Sequence, residues 1–563
     1  MKAMILLFAG LVLGVSSVQA QPEVIIGPGL NAGRTVYHQS FDRVLSNDTT
    51  YVLTGIYFID STKTITIEEG TVIKGDSAAT LVVGRGAQIF AEGTVDAPII
   101  FTSIKGPGDR VPGDWGGVVI LGRSPSNQDN PVIEGGIIPG SYGGGGAGLG
   151  DPNDNSGIFR YVRIEFPGYR FQLNNEVNGL TLGGVGRATQ IDHVQVSYSF
   201  DDSFEFFGGT VDANYLVAFG GWDDEFDTDF GYQGRLQFLF GLRDPLFHEI
   251  PGVGQSNGFE SDNEGSSSTD EPRTLPRFSN VTLVGPERVD AVTAPSGFEY
   301  GAVIRRGTEC SVYNSVMMGY VGGYSMRDTF TFEAADADIL QARNISLQSR
   351  GTLAVVHTGG GTLPPGFTVD GWFNTAAYNN TGGTATRNPS TIGLVDMNDL
   401  NNPDPRPAMG SEPATAGVEF SDLNMLAGDY FAPTTYRGAF DPALSLDAQW
   451  IAGWTEFDPQ NAEYVTSVNE VASTVPASFT LGQNYPNPFN PETVIRFNVP
   501  QSGRVTLAVY NILGQKVAEL VNQTLSAGTF EARFDGAGLP SGTYIYRLTG
   551  EGFEQSRKML LTK

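Results

Sequence analysis

SFDDSFEFFGG (Ser199–Gly209) and GWDDEFDTDFG (Gly221–Gly231) are one pattern written twice, 22 residues apart. Phe200 answers to Trp222, Asp201 and Asp202 to Asp223 and Asp224, Phe204 to Phe226, and Glu205 to Asp227. A coil of that length per turn sets matched residues directly above one another at the inter-strand spacing of about 4.8 Å. The repeat therefore predicts parallel strands stacked rung over rung.

Neighbouring stretches agree. TITIEEGTVIKG (Thr64–Gly75), TLVVGRGAQIFAEG (Thr80–Gly93) and APIIFTS (Ala97–Ser103) are strand-length apolar runs about 16 to 20 residues apart without helical periodicity. YVRIEF at Tyr161, HVQVSY at His193 and YLVAFG at Tyr215 each start an alternating run on an aromatic or histidine ring. A second set puts Asn280, Asn314 and Asn344 ahead of similar runs, and asparagine at that point marks a turn, because it tolerates left-handed backbone and bonds its own neighbours. Two polar stretches, Gly140–Gly157 and Gln255–Pro272, read as loops leaving the coil. The expected fold is all-β, a right-handed parallel β-helix over residues 21–464, becoming irregular from about residue 374. There Trp450 and Trp454 are expected to cover the open edge of the last strand.

The chain of 563 residues has a formal charge of −28, and from Ser478 onward eight Lys and Arg outweigh six Asp and Glu. The acidity belongs to the first part, which repels nucleic acid and anionic lipid and leaves cations, glycans or other surface components as partners. The single cysteine, Cys310, excludes an intrachain disulfide and lies in an alternating run that reads as buried. Residues 1–20 read as a signal peptide, with Lys2, an apolar run Met4–Val15 and a Val18-Gln19-Ala20 end. No stretch is long and apolar enough to predict a transmembrane segment.

Residues 465–477 are poor in large apolar side chains and read as a linker. Beyond them VIRFNVP, RVTLAVYN, TFEARFDG and TYIYRLTG are alternating strands that predict an antiparallel β-sandwich, with Val505, Leu507, Val509, Phe530, Ala532 and Phe534 inside. Tyr485-Pro486-Asn487-Pro488-Phe489, Leu513-Gly514-Gln515 and Ser541-Gly542-Thr543-Tyr544 occur in order, and residues 478–563 resemble the type A C-terminal sorting domain of type IX secretion. That resemblance implies export through the type IX machinery, to be released or attached at the outer cell surface. The body, through GDWGGVVILG (Gly113–Gly122), NGLTLGGVG (Asn178–Gly186) and DDSFEFFGGTV (Asp201–Val211), is similar to the parallel β-helix proteins such tails carry, a group that implies no catalytic residue.

The chemistry lies in the repeat. Stacking would put Asp201 by Asp223, Asp202 by Asp224 and Glu205 by Asp227. Each like-charge pair at about 4.8 Å costs roughly 1 kcal/mol in water and roughly 3 to 4 kcal/mol at an effective dielectric of about 20. A bound hard cation would relieve this, and calcium suits irregular carboxylate cages. The candidate ligands are Asp201, Asp202, Glu205, Asp223, Asp224, Glu225, Asp227 and Asp229; strand alternation would put Asp223, Glu225, Asp227 and Asp229 on one face and Asp224, Phe226 and Phe230 on the other. The acids could instead splay into solvent, pair with Arg235 or Arg243, or hold raised pKa values.

Enzyme chemistry is less marked. DTDFG lacks the full spacing of an EF-hand loop, and His38, His193, His248 and His357 are too scattered for zinc. A calcium-dependent polysaccharide lyase would need a base, for which no spacing selects among Arg235, Arg243, Arg305 and Arg306. So many acids single out no glycosidase pair, and the glycines of GGVG and GRG belong to turns. The reading favoured is a non-catalytic surface β-helix for adhesion, glycan contact or envelope structure, with a lyase or other carbohydrate-active enzyme as the alternative.

Overall fold

The structure, a computed structural model, describes residues 23–563 except 138, 172–176, 250–253, 289–296, 351–354, 358, 384–387, 419, 421–429, 465–468, 473–478, 501–502, 526–527 and 551. The expected signal peptide, 1–20, lies outside the described residues. The chain divides into two compact units, Ile25–Glu463 and one that holds Tyr464–Lys563.

Ile25–Glu463 is a parallel β-helix. Eleven strands, from Val36–Gln39 through Leu180–Gly183, Phe204–Phe207, Phe226–Asp229, Phe259–Ser261 and Tyr300–Ile304 to Val355–His357, pair in chain order as one sheet, here the acidic sheet. A sixteen-stranded sheet forms the rest of each coil. It is creased: the first half of Gly157–Glu165 pairs with Gln88–Glu92 and the second half with Ile99–Ser103, with the bend at Tyr161. Phe204, Phe226, Phe259 and Phe278 point inward and pack ring on ring at 4.5 to 5.9 Å, so aromatic residues of successive strands fill the core here.

The asparagines read as turn markers and the rings read as starting strand runs form one column. Tyr161, His193, Tyr215, Phe238, Asn280, Asn314 and Asn344 all sit at the crease with φ between 48 and 59°. Asparagine adopts this region readily and aromatic rings do not. The rings compensate by stacking, Tyr161 on His193 at 4.3 Å, His193 on Tyr215 at 4.4 Å and Tyr215 on Phe238 at 5.1 Å.

That ring column moves the C-terminal cover. Instead of closing the last strand, residues 430–462 run down the flank over the crease. Trp454 meets Tyr161 and His193 edge-on at 5.9 and 5.7 Å, and Trp450 packs on Tyr215 at 5.5 Å. Gln237 and Gln195 exchange hydrogen bonds with the backbone of Ala432 and Glu456, and Arg110 donates to the Pro459 carbonyl at 2.6 Å. Near the last coils, Trp372 and Phe373 of the helix Val369–Phe373 pack on Tyr324. Cys310 is buried, and burial pushes its thiol up to about 12.

Two other readings change. Gln255–Pro272 is not all loop, because it contains the strand Phe259–Ser261. The expected linker contains the strand Asn469–Ala472, which pairs with Gly528–Asp535. The second unit has two four-stranded antiparallel sheets, and Val505, Leu507, Val509, Phe530, Ala532 and Phe534 are buried in it as expected. Among the described residues no helix is long and apolar enough to cross a membrane.

Candidate metal centre

The 22-residue register is the observed one. Phe204 pairs with Phe226 and Glu205 with Asp227, while Phe200 stacks on Trp222 at 4.6 Å. Within Phe226–Asp229 the side chains of Phe226 and Thr228 turn into the coil, which leaves Asp227 and Asp229 on the outer face. The stack continues further than the repeat reveals: Phe226 pairs with Phe259 and Asp227 with Glu260, so Glu260 and Asp262 add another acidic rung. The next rung places Arg305 beyond Asp262, where its Nε donates to Asp262 at 2.7 Å and an Nη to Glu260; Arg306 also pairs with Asp262.

A second column runs beside the first. Asp202 Oδ1 accepts from the Asp224 N–H at 2.8 Å, Asp224 Oδ1 from the Asn257 N–H at 2.6 Å, and Asn257 Oδ1 from the Tyr300 N–H at 3.1 Å. Each short side chain thus satisfies the backbone of the next rung, a structural role for two of the candidate ligands. One rung below, Asn178 does otherwise: its Nδ2 donates to Glu205 and to Glu134, at 3.2 Å for the latter. Glu134 comes from the excursion that follows Gly122, which sequence periodicity did not connect with this face.

The eight expected ligands separate into groups. Asp201, Asp202 and Asp223 each offer an oxygen within 4.8 Å of the others, and so do Asp202, Glu205 and Asp227. Either set can hold a metal ion. Glu225 is not with them: the strand begins only at Phe226, so alternation fails at Glu225, which turns inward to Arg243 Nε at 2.6 Å and accepts from the Tyr320 hydroxyl at 3.0 Å. Asp229 Oδ1 caps the Phe230 N–H at 2.6 Å. Arg235 takes no part, being paired with Asp212 at 2.5 Å.

The acids do not splay into solvent; Asp202 and Glu205 are only 7% and 5% exposed. Burial, followed by the neighbouring carboxylates, raises Asp202, Asp223 and Asp227 well above the usual carboxylate range. Glu205 is raised by burial and then by Glu134. Burial also lifts Asp224 and Glu225 to about 7, against the pull of Arg243, and Glu260 to about 8, against that of Arg305. Two acceptors, Asp227 Oδ1 and Asn178 Oδ1, are buried with no hydrogen-bond partner among the described residues. A buried acceptor without a donor beside crowded carboxylates is satisfied by a bound water or a cation.

A coiled parallel sheet with this register extends from Val36 to the last coils, and a family model described as a pectate-lyase-like β-helix domain matches residues 36–391. The chain belongs to the pectate-lyase-like β-helix family. Residues 483–562 match a secretion system C-terminal sorting domain, which directs this β-helix protein to the cell surface or exterior and implies contact with the type IX machinery. No curated protein matches the chain. Among solved structures it is similar to the full-length tailspike protein 2 of Escherichia coli O157:H7 bacteriophage CAB120, at 12% identity and a TM-score of 0.20. That similarity covers 91% of this chain and 59% of the tailspike chain.

Proposed function

We propose that the protein is a non-catalytic β-helix displayed at the cell surface for adhesion, glycan contact or envelope structure, with calcium stiffening its acidic rungs. The observation that carries this reading is the buried acidic face itself. Carboxylates from successive rungs converge in two sets, and three arginines of this region pair with other acids, Arg243 with Glu225, Arg305 with Glu260 and Asp262, and Arg306 with Asp262. Calcium takes six to eight oxygens at about 2.3 to 2.6 Å and accepts irregular cages, which suits ligands fixed by strand register.

A calcium-dependent polysaccharide lyase, or another carbohydrate-active enzyme, is the second reading, favoured by the match to pectate-lyase-like β-helices. Against it, Arg305 is a poor base: it is clamped by Glu260 and Asp262, an arrangement that holds its proton more firmly. Incubation with acidic and neutral polysaccharides separates the readings. Retention on a glycan array without unsaturated uronate product supports the binding role. Calcium-dependent release of that product overturns it.

A further inference from the structure

The two polar stretches that leave the coil meet at one spot. Strands Leu180–Gly183, Phe204–Phe207 and Phe226–Asp229 of the acidic sheet end beside it, and Arg187 and Gln233, just past the strands, line a cleft of about 530 Å3. Ala147 and Pro152 of the stretch Gly140–Gly157 line it as well, and so do Glu271 and Pro272 at the end of Gln255–Pro272. Its volume falls among those of small-molecule sites, about 300 to 1,000 Å3.

The cleft is built before any ligand arrives. The Pro152 carbonyl accepts from the Arg187 N–H at 2.9 Å and from the Thr210 hydroxyl at 2.6 Å, which fixes the first excursion to the coil. Asn127 Nδ2 donates to the Asn263 carbonyl at 2.7 Å, and this buried bond joins the first excursion to the second. Groups held in place this way lose little freedom on binding.

We infer that this cleft takes a short stretch of neutral glycan, a di- or trisaccharide, with Arg187 donating to its hydroxyls and Glu271 and Gln233 accepting from them. The inference rests on the glycan-contact reading above and gives it a place. Arg235 meets both oxygens of Asp212, at 3.1 and 2.5 Å, so Arg187 approaches that acid no nearer than 3.4 Å, at Nε. Among the described residues nothing accepts a hydrogen bond from its terminal nitrogens. Gln233 turns Nε2 to the Arg273 carbonyl at 3.2 Å, which leaves its amide oxygen to accept. Glu271 Oε2 takes the Arg273 N–H at 3.0 Å, and no described residue donates to the other oxygen. A sugar hydroxyl donates and accepts at once, so it suits a lining that offers both. Pro152 and Pro272 add rigid apolar surface for the C–H faces of a sugar ring. The lining carries one charge of each sign, and an anionic chain would gain Arg187 only to meet Glu271 within an acidic body.

The test titrates the full chain with maltotriose, cellotriose, mannotriose and triacetylchitotriose, and with trigalacturonate as the acidic arm, read by saturation-transfer NMR and calorimetry. A neutral trisaccharide should bind. Arg187→Ala and Glu271→Gln should each weaken it roughly tenfold or more, as the loss of a hydrogen bond to a charged group does. Ala147→Trp should abolish it with the melting temperature unchanged, because Ala147 is exposed and the added ring fills the cleft. Binding that survives Ala147→Trp overturns the cleft and leaves the glycan-contact reading standing. Binding of trigalacturonate alone overturns the neutral class. Silence with the whole panel overturns the inference, and the glycan-contact reading falls with it only if the glycan array is silent too.

Discussion

Arg243 and Glu225 form an ion pair with 2.6 Å between Nε and Oε1, and both side chains are sealed inside the coil. Arg243 also donates to the carbonyls of Gly221, at 2.9 Å, and Asn257, so one guanidinium fastens three stretches of chain. Removing one member of such a pair strands the other's charge, which costs about 3 to 5 kcal/mol. Arg243→Met should lower the urea midpoint of the β-helix unit accordingly. The double variant Arg243→Met, Glu225→Met should recover part of the loss.

Calcium should raise the melting temperature of the chelator-stripped protein. At a concentration about 100 times the dissociation constant, one site adds about 2.7 kcal/mol. Scanning calorimetry with calcium and with chelator checks this, and identical curves would remove the ion from the account.

Without calcium, stability should fall as pH rises. Asp224 and Glu225 are lifted to about 7 and Glu260 to about 8, chiefly by burial. A carboxyl raised in the folded state favours folding while protonated, fully below its unfolded value of about 4, and loses that contribution as pH climbs through the folded value. The stripped protein should therefore melt lower at pH 8 than at pH 5, by roughly 5 °C. Calcium should narrow the gap through Asp202, Glu205, Asp223 and Asp227, the raised carboxylates of the two sets, where it would take the place of protons.

Trp454→Ala should cost about 3 to 5 kcal/mol, since Trp454 is 1% exposed against the stacked rings of the crease. Hydrogen exchange should quicken in residues 430–462 and stay slow in Phe204–Phe207 and Phe226–Asp229. Uniform quickening would mean that the cover is not a separate unit of stability.

Deleting residues 478–563 should keep the protein from the cell exterior, as cell fractionation would detect. The β-helix unit should keep its calcium-dependent melting, because both ligand sets lie within Ile25–Glu463.

The acidic column was legible wherever coil length stayed constant. Asp201, Asp202 and Glu205 recur as Asp223, Asp224 and Asp227 because no excursion separates their rungs. The following rung was not, since Phe226 and Phe259 are 33 residues apart and SNGFES has the composition of a loop. What survives there is Asn257, Phe259 and Glu260 at the spacing of Asp224, Phe226 and Asp227, a sparse signal but a usable one. Glu225 was misplaced because period-two alternation holds only within a strand and its strand starts one residue later. Arg243 was named with Arg235 as a possible partner of the acids and does pair with Glu225, whereas Glu134 on an excursion leaves no local trace, for its contact is fixed by the assembled coil.

The cover over the crease ties distant parts of the chain, with Glu456 meeting Gln195 and Pro459 meeting Arg110 across separations of 261 and 349 residues. Its binding groove is made of side chains from successive coils and does not exist until those coils are in place. Fastening the cover therefore requires those coils to be assembled, and without it the tyrosine and histidine rings of the crease would face water. A chain held short of that moment would present a greasy stripe to any chaperone that keeps cargo unfolded on its way out of the cell.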